Sequence, residues 1–275
     1  MCTEMGCGQK ISDKPLPKAT SEQRRLFLKG LAALPLAVVL ADSELAQAAG
    51  NTLRTVSLTL ADGSSVSADV ALPKDVASAP TVLLIHEWWG LNDQIRAVAN
   101  ELAEQGFIAL AVDLYDGQYG ATPQEAMSIM RSMNADRATE TLVGWIDWLR
   151  AHDMSNGKVA TLGWCFGGGW SLNASLAAPV DATVIYYGNV SKSSDQLSSL
   201  NSPVLGHFGT LDKNINEEMV EGFQSAMKQA NKPDPEVHWY EANHAFANPT
   251  GSRYDEDDAK LAWERTLSFL NRELS

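Results

Sequence analysis

The sequence predicts an α/β fold with a mostly parallel central sheet, helices on both faces and an antiparallel hairpin at one edge. Two observations support this fold class. Short apolar runs typical of buried strands alternate with apolar residues at helical spacing, and such alternation builds a parallel sheet covered by helices. No repeat, low-complexity stretch or long linker divides the chain after residue 48. We therefore expect a single domain over residues 49–275.

The predicted elements begin at Asn51. Leu53–Leu60 and Val66–Leu72 alternate around Ala61-Asp62-Gly63-Ser64, which is typical of a β-hairpin. Six further apolar runs predict strands: Thr81–Ile85, Phe107–Val112, Val159–Leu162, Thr183–Tyr187, Val204–Phe208 and Val237–Tyr240. Apolar residues at helical spacing predict helices around Ile95–Leu102, Leu142–Leu149, Trp170–Leu176, Met219–Met227 and Trp263–Leu270.

The composition excludes several classes of protein. The 275 residues are 45% hydrophobic and 20% charged, unlike disordered, collagen-like or disulfide-scaffold chains. Lys and Arg number 21 against 34 Asp and Glu, which gives a net charge of −13. Nucleic-acid binding requires a basic surface, so we expect no nucleic-acid partner.

Residues 1–48 have the features of an export signal. Arg24-Arg25-Leu26-Phe27-Leu28-Lys29 precedes an apolar run from Leu31 to Ala41, and Ala46-Gln47-Ala48 has the spacing of a cleavage site. The paired arginines indicate the twin-arginine type. A membrane anchor is the competing interpretation, but a span needs about 20 apolar residues and the run from Leu31 to Ala41 is much shorter. We expect export by the twin-arginine machinery, cleavage near Ala48, a periplasmic location and no stable membrane insertion.

Removal of the signal would leave one thiol. Of the three cysteines, Cys2 and Cys7 lie in the predicted signal and Cys165 does not. An unpaired cysteine in an exported protein is a candidate reactive thiol. Free cysteines are also often buried and inert, so the residues around Cys165 must distinguish the two.

Those residues match a nucleophile elbow. Gly163-Trp164-Cys165-Phe166-Gly167 lies between a predicted strand and a predicted helix, the arrangement that presents the nucleophile in the α/β-hydrolase fold. Side chains at Gly163 or Gly167 would collide with the neighbouring strand and helix. A helix N-terminus beside Cys165 would also lower the thiol pKa. A phosphate-binding turn is the alternative, but the glycine patterns of such turns are absent.

A histidine and a carboxylate that suit this nucleophile follow later strands. Among the five histidines, His244 lies in a loop just after a late strand, whereas His152, His207 and His238 have the placement of structural or surface residues. The chain order in this fold is nucleophile, acid, histidine. Asp212 follows the strand Val204–Phe208, and Asp181 and Asp195 are weaker competitors. We predict a triad of Cys165, Asp212 and His244.

The loop after the first buried strand completes the predicted site. It reads His86-Glu87-Trp88-Trp89-Gly90, and a loop at this position supplies one backbone N–H of the oxyanion hole. We assign the two donors to Trp88 and Phe166. Glu87 would direct a carboxylate into the pocket, although a surface acid is an equal alternative. Two adjacent indoles cannot both face one core, so Trp89 is a candidate substrate contact.

Taken together, these motifs resemble the dienelactone hydrolase (carboxymethylenebutenolidase) family of α/β-hydrolases. The matching segments run from Ile85-His86-Glu87-Trp88-Trp89-Gly90-Leu91-Asn92 to Asn243-His244-Ala245-Phe246, and Val112-Asp113-Leu114-Tyr115 and Gly209-Thr210-Leu211-Asp212 lie between them. The resemblance implies catalytic roles for Cys165, Asp212 and His244, a resting-state contact between Glu87 and the thiol, and a pocket position for Tyr115.

One position departs from the family pattern. The enzyme that names the family binds a substrate carboxylate through arginines, one of them four residues after the histidine. Asn248 stands there in this chain, and no arginine occurs in Asp113–Gly117. Loss of such charge-assisted bonds weakens selection for a carboxylated lactone. Arg253, further along the loop, is a candidate replacement.

We therefore expect a carboxylic ester hydrolase that cleaves a small-molecule ester or lactone through an acyl-cysteine intermediate. A broader carboxylesterase or thioesterase with the same triad is the alternative. A non-catalytic ligand carrier and a redox-sensing thiol are less favoured, since a lone cysteine has no resolving partner. No metal or other cofactor is implied, because the histidines are scattered. We expect a monomer.

Overall fold

In the computed structural model, which describes residues 16–275, eight strands form one sheet in the order β1-β2-β4-β3-β5-β6-β7-β8. The strands are β1 Arg54–Thr59, β2 Ser65–Ala71, β3 Ala79–Ile85, β4 Ile108–Val112, β5 Ser155–Trp164, β6 Ala182–Tyr186, β7 Val204–Gly209 and β8 Glu236–Tyr240. β1 pairs with β2 and β2 pairs with β4 in antiparallel fashion, and the other pairs are parallel. The predicted α/β fold and its edge hairpin are confirmed.

Ten helices connect or flank the strands in the described part of the chain. They are α1 Ser21–Leu28, α2 Leu36–Leu40, α3 Ser43–Gly50, α4 Asp93–Glu104, α5 Pro123–Ser132, α6 Ala135–Ala151, α7 Phe166–Ala177, α8 Ser194–Leu197, α9 Glu217–Gln229 and α10 Glu256–Leu274. Of these helices, α1, α2, α3, α5 and α8 are not predicted from the sequence. The start of α5 is nevertheless marked by a capping box between Thr122 and Glu125 around Pro123.

The central strands are buried on both faces because helices cover each side. Along β3, Val82 and Leu84 face the core beneath α4 and α10, whereas Leu83 and Ile85 face the core beneath α6. Alternate side chains of a strand point to opposite faces. The continuous apolar run of β3 therefore contributes to the core on each face of the sheet. The loops at the carboxyl ends of the strands lie outside these cores and can hold the functional site.

The N-terminal helices fold back onto the domain. Leu45 and Ala46 in α3 are 0% and 1% exposed, in the same core as α4. Arg24 of α1 forms ion pairs with Asp42 and Glu44. The predicted cleavage motif thus lies in a docked helix. Residues 1–15 of the predicted signal, with Cys2 and Cys7, lie outside the described residues. From residue 16 onward, none of the helices combines the length and apolarity of a bilayer span.

Candidate active site

Cys165 lies at a strained turn between β5 and α7. Its backbone angles are φ 53° and ψ −115°, a region that non-glycine residues adopt only under constraint. Its N–H donates to the carbonyl of Tyr186 at 3.0 Å. A Cβ at Gly163 would lie 2.1 Å from the carbonyl oxygen of Gly167, and one at Gly167 would lie 2.1 Å from that of Ile85. The turn therefore requires both glycines, as expected from the sequence.

His244 lies between the thiol and a carboxylate. Its Nε2 is 3.1 Å from Cys165 Sγ, and its Nδ1 is 2.6 Å from Asp212 Oδ2. Because a carboxylate only accepts, Nδ1 carries a proton, and Nε2 is left to accept the thiol proton. Cys165 is 7% exposed and both partners are 4% exposed. The structure thus brings the three predicted residues together in a site that is largely buried from solvent.

Asp212 remains ionised in this site. Burial acts to raise its pKa, but the hydrogen bond and charge of His244, with the N–H groups of Asn214 and Ile215, lower it below 3.8. Those two backbone donors reach Oδ1 at 2.8 and 3.1 Å. Since Oδ1 is held by the backbone, Oδ2 is fixed in its direction toward His244.

His86 holds the loop that carries the predicted oxyanion donor. Its Nε2 accepts the N–H of Leu114 at 3.2 Å, so Nδ1 carries the proton and donates to the carbonyl of Glu87 at 2.6 Å. Burial lowers the pKa of His86, which keeps it neutral for both bonds. The next N–H, that of Trp88, and the N–H of Phe166 donate to no other residue in the described part of the chain. The local sequence around His86 does not indicate this role.

Glu87 and Asn248 join across the site, although they are 161 residues apart in the sequence. The Asn248 amide donates to Glu87 Oε2 at 2.6 Å. Glu87 is buried, at 8% exposure, so the predicted interior position of its carboxylate agrees with the structure. Tyr115 is buried as well, with its ring 5.6 Å from that of Phe166. Burial, followed by the charge of the nearby Cys165, raises the pKa of Tyr115.

A cleft of about 320 Å³ opens beside Glu87 and Ala245, the neighbour of His244. Trp89 lines this cleft, while Trp88 is buried with its ring 4.9 Å away. Arg253 is the one cationic side chain among the described lining residues. Its Nη2 is buried and has no hydrogen-bond partner within residues 16–275. Arg253 therefore brings a positive charge to the wall of the cleft.

The competing residues lie elsewhere. Asp181, at the opposite end of the sheet, accepts the N–H of Val159 and pairs with Lys158. His152 caps α6, and His207 and His238 lie on β7 and β8. Within residues 16–275, no group of His, Cys, Asp and Glu side chains has the arrangement of a metal site.

Comparisons with known proteins show what the chain is similar to. The model of the dienelactone hydrolase family matches residues 66–274. The carboxymethylenebutenolidase of Pseudomonas putida is 31% identical over 230 residues, which cover 78% of this chain and 94% of that protein. Carboxymethylenebutenolidase 1 of Cupriavidus pinatubonensis is 27% identical over 205 residues, covering 70% and 86%. A solved structure of a candidate dienelactone hydrolase from Klebsiella pneumoniae is 26% identical, has a TM-score of 0.71 and covers 80% of this chain and 99% of that one.

Proposed function

Because the chain belongs to the dienelactone hydrolase family, we propose that it hydrolyses its ester or lactone through an acyl-cysteine intermediate on Cys165. Membership makes it a hydrolase of carboxylic esters or lactones. The observation that best supports the finer mechanism is the position of His244, 3.1 Å from the sulfur and 2.6 Å from the Asp212 carboxylate.

In the first half-reaction, His244 Nε2 takes the thiol proton and Cys165 Sγ attacks the carbonyl carbon. The N–H groups of Trp88 and Phe166 stabilise the oxyanion that develops on the carbonyl oxygen. The tetrahedral intermediate then expels the alcohol oxygen, which takes the proton from His244. A thioester on Cys165 remains, and in a lactone the alcohol stays attached to the acyl group.

In the second half-reaction, His244 Nε2 removes a proton from water, whose oxygen attacks the thioester. Collapse of this second tetrahedral intermediate releases the carboxylic acid and returns the proton to the sulfur. Asp212 holds His244 with its proton on Nδ1 and stabilises the imidazolium formed in each half. The Glu87 carboxylate, which lines the cleft, either contacts the thiol before substrate binds or helps to deprotonate it.

Two classes of substrate fit the residues that line the cleft. Arg253 suits a carboxylate on a lactone, since it lines the cleft and its Nη2 has no hydrogen-bond partner within residues 16–275. Asn248 favours the second candidate, a broader carboxylesterase, because the amide brings no charge and bonds to Glu87. Trp89, which lines the cleft, contacts either substrate. Tyr115, buried against Phe166, is the second proposed substrate contact.

We propose further that residues 1–48 direct export and that the enzyme acts in the periplasm as a monomer. The support is Arg24-Arg25-Leu26-Phe27-Leu28-Lys29, the apolar run to Ala41 and Ala46-Gln47-Ala48. Since Leu45 and Ala46 are buried against the domain, release of α3 must precede cleavage. Cell fractionation of a double Arg24→Lys, Arg25→Lys variant tests export: retention in the cytoplasm supports it, and an unchanged distribution contradicts it. Size-exclusion chromatography tests the monomer.

The catalytic proposal is tested with a panel of lactones and aryl esters, including enol-lactones with and without a carboxylate. We expect hydrolysis by the wild-type chain and its loss in Cys165→Ala. Iodoacetamide should alkylate Cys165 and abolish turnover in parallel. Hydrolysis that survives Cys165→Ala would contradict the proposal. No turnover across the panel, with a thiol that resists alkylation, would favour a ligand carrier.

A further inference from the structure

A hydrogen-bonded network of Tyr186, His207, Tyr240, Arg265 and Thr266 lies on the face of the sheet that α10 covers. His207 on β7 and Thr266 on α10 are 0% exposed, and Tyr186 at the end of β6 is 1% exposed. Thr266 Oγ1 is 3.0 Å from His207 Nε2 and 2.7 Å from the hydroxyl of Tyr186. All five residues follow residue 48, so the network belongs to the domain that remains if the predicted signal is removed.

The direction of the hydrogen bonds in this network follows from Arg265. Its guanidinium, which only donates, reaches the hydroxyl of Tyr240 at 3.0 Å, so the hydroxyl proton of Tyr240 is left for His207 Nδ1 at 2.8 Å. His207 Nε2 therefore carries a proton and donates it to Thr266. Burial, and then the charges of His238 and Arg265, keep the pKa of His207 well below 6.5, which maintains this neutral form.

The network ends at Tyr186, which contacts the nucleophile elbow. The carbonyl of Tyr186 accepts the N–H of Cys165 at 3.0 Å, and its ring lies 5.5 Å from that of Trp164. Without the bond to Thr266, the buried hydroxyl of Tyr186 would lose its partner, which costs free energy. Thr266 therefore fixes a residue whose backbone holds the turn that carries the thiol.

The next residue, Tyr187, connects the network to the histidine of the triad. Its φ of 37° lies in the left-handed region, which a non-glycine residue adopts only when surrounding contacts hold it. Its N–H donates to the carbonyl of His207 at 2.8 Å, and its ring lies 5.2 Å from that of His244. Tyr187 and Tyr186 together therefore support both sides of the bond between the histidine and the thiol.

We propose that Thr266 and His207 are positioning residues for hydrolysis at Cys165. The inference rests on the proposed function and assigns these two residues no contact with the substrate. They anchor the two tyrosines and so keep His244 Nε2 at the 3.1 Å from Sγ that proton transfer requires. Because a displacement of about 1 Å in a reacting group can cost about 100-fold in rate, a loosened anchor should lower kcat and leave KM largely unchanged.

The test compares two threonines of the full-length chain, each of which has a buried hydroxyl. Thr266→Val removes the oxygen at the centre of the network and nearly keeps the shape of the side chain. Thr183→Val is the matched control on β6, because Thr183 is 0% exposed and its hydroxyl bonds to Ser175 and Ser202, both at 2.6 Å, outside the network. Thr266→Ser retains the hydroxyl. Tyr186→Phe removes the same hydrogen bond from the other side and serves if Thr266→Val does not fold.

Initial rates with p-nitrophenyl acetate give kcat and KM, and the rate at which iodoacetamide alkylates Cys165 measures the activation of the thiol without any ester. We expect Thr266→Val to lower kcat and the alkylation rate about 10-fold to 100-fold, with KM within about twofold of wild type. Thr266→Ser and Thr183→Val should keep wild-type values of both rates. Thermal unfolding should show a similar loss of stability in the two valine variants.

Three outcomes separate this inference from the proposed function. Wild-type kcat and alkylation rates in a folded Thr266→Val or Tyr186→Phe protein overturn the inference and leave ester hydrolysis intact. Equal slowing by Thr183→Val also overturns it, because any buried hydroxyl would then have the same effect. If the wild-type chain hydrolyses no ester, the proposed function fails, and the alkylation rates of the same variants decide whether the network positions the thiol and His244.

Discussion

Replacing Asp212 with asparagine separates the orientation of His244 from the folding of its loop. Asp212 Oδ1 accepts the N–H groups of Asn214 and Ile215, and the amide oxygen of asparagine can keep both bonds. The amide NH₂ would then face His244 Nδ1, where Oδ2 now accepts at 2.6 Å. Two donors cannot pair, so the imidazole would place its proton on Nε2 and lose the acceptor for the Cys165 thiol proton.

The expected cost is large because the change alters the tautomer while the residues stay in place. The same substitution in a serine-protease triad lowers kcat by about 10⁴, which corresponds to about 5 kcal/mol of transition-state stabilisation. We expect a loss of about 10³ to 10⁴ in kcat for Asp212→Asn, measured with an aryl acetate. KM should change little.

Asp181→Asn provides the matched control for this experiment. Asp181 is also an aspartate that accepts a backbone N–H, but it lies at the far end of the sheet. Its variant should retain wild-type kcat. Thermal unfolding of both variants checks the fold. A correctly folded Asp212→Asn protein with kcat within tenfold of wild type would refute the assignment of His244 as the base.

Three further predictions follow from the geometry. Gly167→Ala should destabilise the fold by about 1–3 kcal/mol or more, because its Cβ would lie 2.1 Å from a carbonyl oxygen of β3. The control Gly222→Ala, with nothing within 4 Å of its Cβ, should not lower the melting temperature. Equal melting temperatures for the two variants would contradict the close approach at Gly167. Burial lowers the pKa of His86 and of His207 below 6.5, so as the pH falls the unfolded chain takes up protons that the folded chain does not. The urea concentration at the unfolding midpoint should therefore be highest above pH 6.5 and decline as the pH falls toward 5. A midpoint that does not change with pH would argue against neutral buried histidines. Arg253→Ala should raise KM for a carboxylated lactone about 10-fold to 100-fold and leave a neutral ester unchanged; equal effects on both would argue against a carboxylate contact.

Local rules were sufficient to predict the residues of the triad. Gly163 and Gly167 mark a turn that side chains would block, and this identifies the elbow around Cys165 from one segment. The chain order of the fold then selects Asp212, because it directly follows a strand, over Asp181, which precedes one. Parallel strands end at the same edge of the sheet. Asp212 and Cys165 therefore meet beside His244, although they precede it by 32 and 79 residues in the sequence.

Long-range polar contacts were not predictable in the same way. The bond between Asn248 and Glu87 joins residues 161 apart, and nothing in either local segment indicates the other partner. His86 was visible within the motif, but its role depends on Leu114, which only folding brings near. The packing of α2 and α3 was missed because the apolar run from Leu31 to Ala41 matches an export signal and its contacts with α4 have no local pattern.

The most direct test of the central proposal is detection of the covalent intermediate. A reactive ester, such as an enol-lactone, is mixed with the enzyme, the reaction is quenched in acid within milliseconds, and the intact mass of the protein is measured. The proposed mechanism predicts a mass increase equal to the acyl group, carried by the peptide that contains Cys165 and absent from Cys165→Ala. Rapid turnover with no adduct on that peptide, or with the acyl group on another residue, would contradict it.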